Sequence, residues 1–341
     1  MPEPIKMPLT LEPGALQGAI SIQDTPTPIT GARWHVAPDP GDGLVYCFED
    51  GMLEKAQWLT ADLLLDGNKL AIFMLTLQEG AEGPCFTLTF GLLNQCRARM
   101  RLPIDAVLQK QWKLQREGAW LKPLVGGNLV NLARVDRMTL TVERKAEAPV
   151  RWCMTPLTAT VEPPERLTEP VLPRGPLLDE LGQSTLHEWP GRTKSEEELS
   201  ARLEEQHAAA SDQQWPETWS RWGGLAEEEP EGSGFFRTHN DGQRWWLVDP
   251  DGHPFWSAGC DCVRMSVSAM CRDLETALMW MPDKDGPYGT IYSDRQDGLR
   301  FIDYLQANFI RVFGPEKAKD AWARIALAQL RRFGFNTVAN W

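Results

Sequence analysis

The chain has 341 residues, 42% hydrophobic and 24% charged, long enough for two domains with their own cores and ordinary for a soluble globular protein. Its 47 acidic residues against 35 Lys and Arg leave a formal net charge of −12. Without a basic stripe, that balance argues against nucleic acid and against an anionic membrane surface as partners, whereas a neutral polysaccharide is indifferent to it.

No run approaches the roughly 18 apolar residues of a membrane span, and Met1 to Pro8 lacks the apolar core of a signal peptide. A soluble chain is therefore expected, with its compartment open. The 15 tryptophans have core or interface packing as their default role, with sugar stacking as the functional alternative. The 7 cysteines contain no Cys-x-x-Cys. Cys260 and Cys262 sit two apart at a predicted strand end, but no second ligand pair accompanies them, and no His-Glu-x-x-His pattern occurs. No metal and no cofactor is expected.

In chain order, residues 1–35 are rich in Pro, Gly and Thr and read as an extended segment. From Leu44 to Val161 the pattern is β. Trp58 to Leu65 and Leu70 to Leu77 flank Asp66-Gly67-Asn68, which predicts a hairpin. Phe86, Leu88, Phe90 and Leu92 alternate with smaller or polar residues. Ala98, Met100 and Leu102 alternate with Arg97, Arg99 and Arg101, and this arginine row reads as a solvated outer face rather than a concave binding face. Met138, Leu140 and Val142 repeat the alternation, and Trp152 to Val161 adds another candidate strand. Short strands with turns between them predict a jelly-roll-like β-sandwich over residues 36–165.

The prolines between Pro163 and Pro176 predict a linker, so residues 166–232 read as linker plus helix. That helix starts at a capping box, Ser195-Glu196-Glu197-Glu198, and runs to about Ala210. Trp215, Trp219 and Trp222, spaced four and three apart, suggest one face of a short helix. Gly234 to Arg264 then holds two turn signals, Asn240-Asp241-Gly242 and Asp249-Pro250-Asp251-Gly252, around the strand-like run Trp245 to Val248. Phe255 to Ala258 is apolar almost throughout and predicts a strand buried on both faces, as in a parallel sheet or barrel. Further on, Asp303 to Phe313 reads as a helix ending at Gly314-Pro315. A second helix spans about Lys317 to Phe333 with Gly334 as its C-terminal stop, and Phe335 to Trp341 reads as a second buried strand. Strand, helix and strand in this order predict a parallel βαβ unit.

Several motifs together carry a family resemblance. Leu178-Asp179-Glu180-Leu181-Gly182-Gln183 and His187-Glu188-Trp189-Pro190-Gly191-Arg192 resemble the segment before the barrel in agarase-type glycoside hydrolases of family 50. Trp245 to Ser257 resembles that family's first barrel strand. Tyr304 to Arg311 and Leu330 to Trp341 resemble its first helices and second strand. The resemblance covers about half the chain, from near Pro176 to the end.

It implies a β-sandwich followed, over residues 233–341, by the first βα units of an incomplete (β/α)8 barrel. It also implies cleavage of β-linkages in agarose-like galactans with retention, which uses two carboxyl groups roughly 5 Å apart. The family places its two glutamates after later strands, and a complete barrel needs about 200 to 250 residues. No catalytic residue is therefore assigned in this chain. The candidate substrate-binding residues are Asp261 after the first strand and Asn340 and Trp341 after the second, where barrel geometry faces the ligand.

Two readings follow. In one, the chain is part of a hydrolase, inert alone. In the other, it is a polysaccharide-binding protein gripping its ligand with the sandwich. A further chain completing the barrel is a third possibility, because open parallel strands are an aggregation risk unless covered.

Overall fold

A strand with alternating apolar residues buries one face, and the computed structural model shows where those faces go. It describes residues 8–67, 70–143, 148–168, 175–226, 231–296 and 298–340. The chain divides into two compact units: Met1–His187 with Met270–Met281 and Asp294–Arg300, and Glu188–Ala269 with Pro282–Ser293 and Phe301–Trp341.

The first unit holds strands β1 (Leu9–Leu11), β2 (Ala15–Gln17), β3 (Ser21–Gln23), β4 (Arg33–Ala37), β5 (Gly43–Cys47), β6 (Trp58–Leu65) and β7 (Ala71–Glu79). It continues with β8 (Cys85–Leu92), β9 (Arg97–Pro103), β10 (Trp120–Gly127), β11 (Val135–Val142), β12 (Val150–Met154) and β13 (Leu157–Thr160). One antiparallel sheet runs β1-β13-β6-β12-β4-β3, with β9 also on β6, and the other runs β10-β8-β7-β11-β5-β2. A single core is fed by both sheets, with Leu59 and Leu63 of β6, Phe73 and Leu75 of β7, and Met100 and Leu102 of β9 all buried in it. Phe73 meets Trp152 edge-on at 5.1 Å and stacks with Phe90 at 5.7 Å, so aromatic rings bridge the layers. β9 alternates buried and half-buried residues along its length, as its arginine row predicts.

The hairpin predicted at Asp66-Gly67-Asn68 does not form. β6 pairs with β9 along one edge, Trp58 to Leu64, and with β13 and β12 along the other. Both edges are therefore occupied, and the chain arches to the opposite sheet, where β7 lies between β8 and β11. The arch is tied by Gly67 N–H donating to Asn94 Oδ1 at 3.1 Å; Asn68 itself lies outside the described residues.

In the second unit, α1 (Glu196–Ala209) begins where the capping box predicts, with Ser195 Oγ accepting from Glu198 N–H at 3.2 Å. The Glu198 carboxylate returns to Lys194 N–H at 2.7 Å. Trp215, Trp219 and Trp222 do not form a helix. Pro216 and the Gly223-Gly224 pair confine the backbone to turns, Trp215 and Trp219 stack at 5.5 Å, and Trp222 meets Phe236 edge-on.

The predicted ribbon is present as β14 (Arg237–Asn240), β15 (Trp245–Val248) and β16 (Pro254–Phe255), all antiparallel. Its first turn is locked by Asp241, whose carboxylate accepts from Trp246 Nε1 and from the Gln243 and Arg244 N–H groups. These bonds, the indole's foremost, lower its pKa to about 2. The second turn is built on fully buried Asp249, which accepts from Asp251 N–H, His253 N–H and Ser220 Oγ.

After β17 (Gly259–Cys260) come the short strands β18 (Ser268–Met270), β19 (Tyr292–Asp294) and β20 (Arg300–Asp303), then α2 (Tyr304–Phe313), α3 (Ala318–Arg332) and β21 (Thr337–Val338). Asp303 caps α2 by accepting from Gln306 N–H, and Gly314 ends it. Gly334, at φ +80°, ends α3 as predicted, with Phe335 N–H returning to Leu330 O at 3.0 Å.

β17 and β21 pair in parallel, as a βαβ reading requires, but each spans only two residues. The long buried strands expected over Phe255 to Ala258 and Phe335 to Trp341 are not found. Phe255 belongs to the ribbon, Trp256 is 64% exposed and Val338 is 49% exposed. Parallel strands become buried when neighbours flank their edges and helices cover their faces, and this pair has no third strand among the described residues. Among those residues, no helix is long and apolar enough to cross a membrane.

Candidate functional site

Two parallel strands deliver the residues that follow them to one end of the pair. Gly259 is in register with Thr337 and Cys260 with Val338, and Ala339 N–H donates to Cys260 O at 2.9 Å. Asp261 and Asn340 therefore emerge at the same carboxyl end, and both are exposed. Just past Asp261, Cys262 adopts φ +57°, turning the chain away from the strand direction. Trp341, the third candidate, lies outside the described residues.

The opposite end of the pair is organised by Asn336, a residue not singled out from the sequence. Its Oδ1 accepts from Ala258 N–H at 3.0 Å and Thr337 Oγ1 at 2.9 Å, while Nδ2 donates to Trp256 O at 2.9 Å and Gly223 O at 2.8 Å. Both halves of the amide are thus used. Asn336 fixes the entry to β17 and β21 against the 223 turn. Gly223 has room for this only because it lacks a side chain, since a Cβ there would stand 2.7 Å from Asn336 Cβ. In the sequence Asn336 falls inside the strand predicted over Phe335 to Trp341, and no local signal marks it for such a role.

The arginine row on β9 forms a second concave feature. Asp62 on β6 lies directly across from Arg99 in the antiparallel register, and Arg97 lies opposite Leu64. Arg99 grips the Asp62 carboxylate with two donors, Nε at 2.5 Å and Nη2 at 2.9 Å, and Arg97 Nη2 binds the same group. Burial alone would raise the Asp62 pKa. The hydrogen bonds from Arg99 and Arg97, with their charges, overcome it and hold the carboxyl below its ordinary range. Arg101 Nη1 reaches both oxygens of Glu117, at 2.5 and 2.7 Å, and its Nε donates to Pro164 O. Arg166 Nη2 approaches the same Glu117 at 3.5 Å.

A small pocket of about 20 Å³ lies over this row, lined also by Gly118, Leu167 and Asp273. The row faces outward, as the alternation predicts, but it is not a solvated face. Arg101 is 12% exposed, held between the Glu117 carboxylate and the Pro164 carbonyl, while Asp62 of β6 takes Arg97 and Arg99. Asp62 and Glu117 are committed as hydrogen-bond acceptors to arginines, which suits them to positioning charge rather than to giving up a proton.

No family model matches the chain. Beta-agarase B of Vibrio sp. (strain JT0107) is 27% identical to it over 194 residues, which is 48% of this chain and 20% of that protein. Beta-agarase A of the same organism is 26% identical over 185 residues, 48% of this chain and 18% of that protein. Among solved structures, an exo-beta-agarase aligns with TM-score 0.48 and 19% identity over 99% of this chain and 54% of its own. A second agarase aligns with TM-score 0.47 and 14% identity over 98% and 53%. The chain spans about half the length of these solved agarases, and its matches cover a fifth or less of the curated ones. In its motif run and in these matches, the chain resembles the agarase-type glycoside hydrolases.

Proposed function

We propose that this chain carries the N-terminal part of a retaining glycoside hydrolase acting on agarose-like β-galactans. The observation that carries the reading is the 194-residue match to a beta-agarase. The parallel pair joined through two helices, with Asp261 and Asn340 at its carboxyl end, supports assigning residues 233–341 to the first βα units of a (β/α)8 barrel. In that role Asp261 and Asn340 hydrogen-bond sugar hydroxyls, Trp341 stacks on a ring, and the two-sheet unit acts as a carbohydrate-binding module. The nucleophile and the acid/base, two carboxyl groups about 5 Å apart, belong to later barrel strands. They would be supplied by a continuation of the polypeptide or by a second chain.

The chain alone is expected to release no reducing ends from agarose, whereas a polypeptide extended through both later glutamates releases them. Hydrolysis by residues 1–341 alone would sink the division of labour, and an extended polypeptide that leaves agarose intact would sink the substrate. The second reading, a polysaccharide-binding protein using the sandwich, is favoured by the self-contained core shared by the two sheets. It predicts retardation of the full chain in gels carrying agarose without any cleavage.

A further inference from the structure

One tryptophan of the two-sheet unit is left out of its core. Of the five between Leu9 and Thr160, Trp34, Trp120 and Trp152 are buried and Trp58 lies half-buried under the Arg101 guanidinium, whereas Trp112 is 67% exposed. Its position is fixed all the same. Val125 N–H donates to Trp112 O and Leu114 N–H to Pro123 O, both at 2.8 Å, so residues 112–114 extend the second sheet beyond β10. Lys113 Nζ stands 4.7 Å from the centroid of the indole on one face and leaves the other to solvent.

The surface around it is apolar with a cationic rim. Leu108, Leu124 and Leu129 are 55%, 39% and 44% exposed, and clustered apolar exposure marks interaction sites. Leu124 pairs with Lys113 across the sheet edge, and Val130 N–H donates to Val107 O at 3.2 Å, which sets residues 129–130 beside 107–108. Lys110, Lys113 and Lys122 belong to the same segments, and no carboxylate pairs with them among the described residues. A standard protein interface uses roughly 20 to 30 residues a side, far more than these four apolar side chains. A second copy seated face to face would set its lysines against these, a costly juxtaposition. Nucleic acid and anionic lipid are repelled by the net charge of −12. An uncharged sugar meets none of these objections, because its hydroxyl oxygens accept from ammonium groups and its C–H face covers an indole.

We propose that Trp112 is the sugar-stacking platform of the two-sheet unit, taking a galactopyranose ring of an uncharged galactan on its open face, with the rim lysines donating to the sugar's hydroxyl oxygens. The identity of the sugar rests on the galactan reading above; the place rests on the exposure, anchoring and rim of Trp112. The axial hydroxyl of a galactopyranose leaves a continuous patch of C–H groups on the opposite ring face, and that patch is what an indole stacks against. Because the backbone under Trp112 is already hydrogen-bonded, little freedom is lost when the sugar binds.

The test is affinity electrophoresis of the full chain in polyacrylamide gels with and without agarose. Retardation of the wild-type chain is expected. Trp112→Ala should weaken it about tenfold, the scale of one lost aromatic contact, with an unchanged melting temperature. Trp112→Tyr, which keeps a stacking ring, should retain most of it. Trp245→Ala, which removes an indole 72% exposed on the ribbon, should leave it as it is. Stacking on an uncharged ring is not screened by ions, so the retardation should persist when the ionic strength is raised.

Equal retardation of the wild-type chain and Trp112→Ala overturns this site and leaves the galactan reading standing. No retardation of the wild-type chain removes the carbohydrate-binding role of the sandwich and this site with it. A loss as large in Trp112→Tyr as in Trp112→Ala overturns the stacking. Retardation that vanishes at raised ionic strength gives the contact to the lysines and a charged substituent, and overturns the uncharged ligand. A free chain that sediments as a dimer, and as a monomer in the Trp112→Ala variant, gives the patch to a second copy and overturns the sugar.

Discussion

His35, on β4, is 4% exposed and stacks on Trp152 with ring centroids 5.4 Å apart. Burial first, and the Arg33 charge second, lower its pKa from 6.5 to about 4, against weaker opposing contacts from backbone groups of Arg33 and Trp152. The unfolded histidine takes up a proton that the folded one refuses. Its contribution is therefore fully present above pH 6.5 and is lost as pH falls toward 4, by roughly 3 kcal/mol in all. His35→Phe keeps the ring stack and removes the proton site. Urea unfolding midpoints at pH 7 and pH 4.5 should differ much less in this variant, and an equal drop in both proteins would refute the assignment. Asp62 works the same way at more acidic pH, since its depressed pKa gives stability that is lost as pH falls through the folded value. The arginine row shows why such roles escape a sequence reading. Alternation placed Arg97, Arg99 and Arg101 on one face, but their carboxylate partners at Asp62 and Glu117 come from other strands and turns, 35 to 37 residues upstream and 16 downstream.

Local elements were legible where local chemistry sets them. Ser195 with Glu198 and Gly334 after Arg332 end helices by hydrogen bonds to neighbours three to five residues away, so these two caps announce themselves, whereas Asp303, read as the first residue of its helix, is its cap. Ser195→Ala should cost α1 about 1 kcal/mol. Amide exchange in its first turn is the direct measurement, with protection at Glu198 expected to fall about fivefold; unchanged exchange would show that the cap contributes nothing. The Asp66-Gly67 turn behaves differently. A turn signal specifies a chain reversal but not which strand lies alongside afterwards, and the edges of β6 were already taken by β9, β12 and β13. The tryptophans at 215, 219 and 222 had helical spacing, yet Pro216 and Gly223-Gly224 left them only turns and ring stacking.

At the scale of the molecule, Asp261 and Asn340 are 79 positions apart and follow their strands at the same end of a pair only because β17 and β21 run parallel. On the proposed reading, in a polypeptide extended to a whole hydrolase, Asp261→Ala and Asn340→Ala should each raise KM for agaro-oligosaccharides several-fold with a smaller change in kcat, the pattern of a lost binding contact. A fall in kcat at constant KM would place them in the chemistry instead, and no change in either would remove them from the site. By itself the sequence determined the strand alternation, the helix caps, the ribbon turns and the agarase-like motif run, because each depends on neighbours within a few residues or on a contiguous pattern. Only the tertiary structure decided that β6 and β7 lie in different sheets, that the parallel strands are two residues long, that Asn336 ties their entry, and that the arginine row is paired with acids. Those outcomes depend on which edges and faces remain open once the other strands have packed, a quantity that no single segment contains.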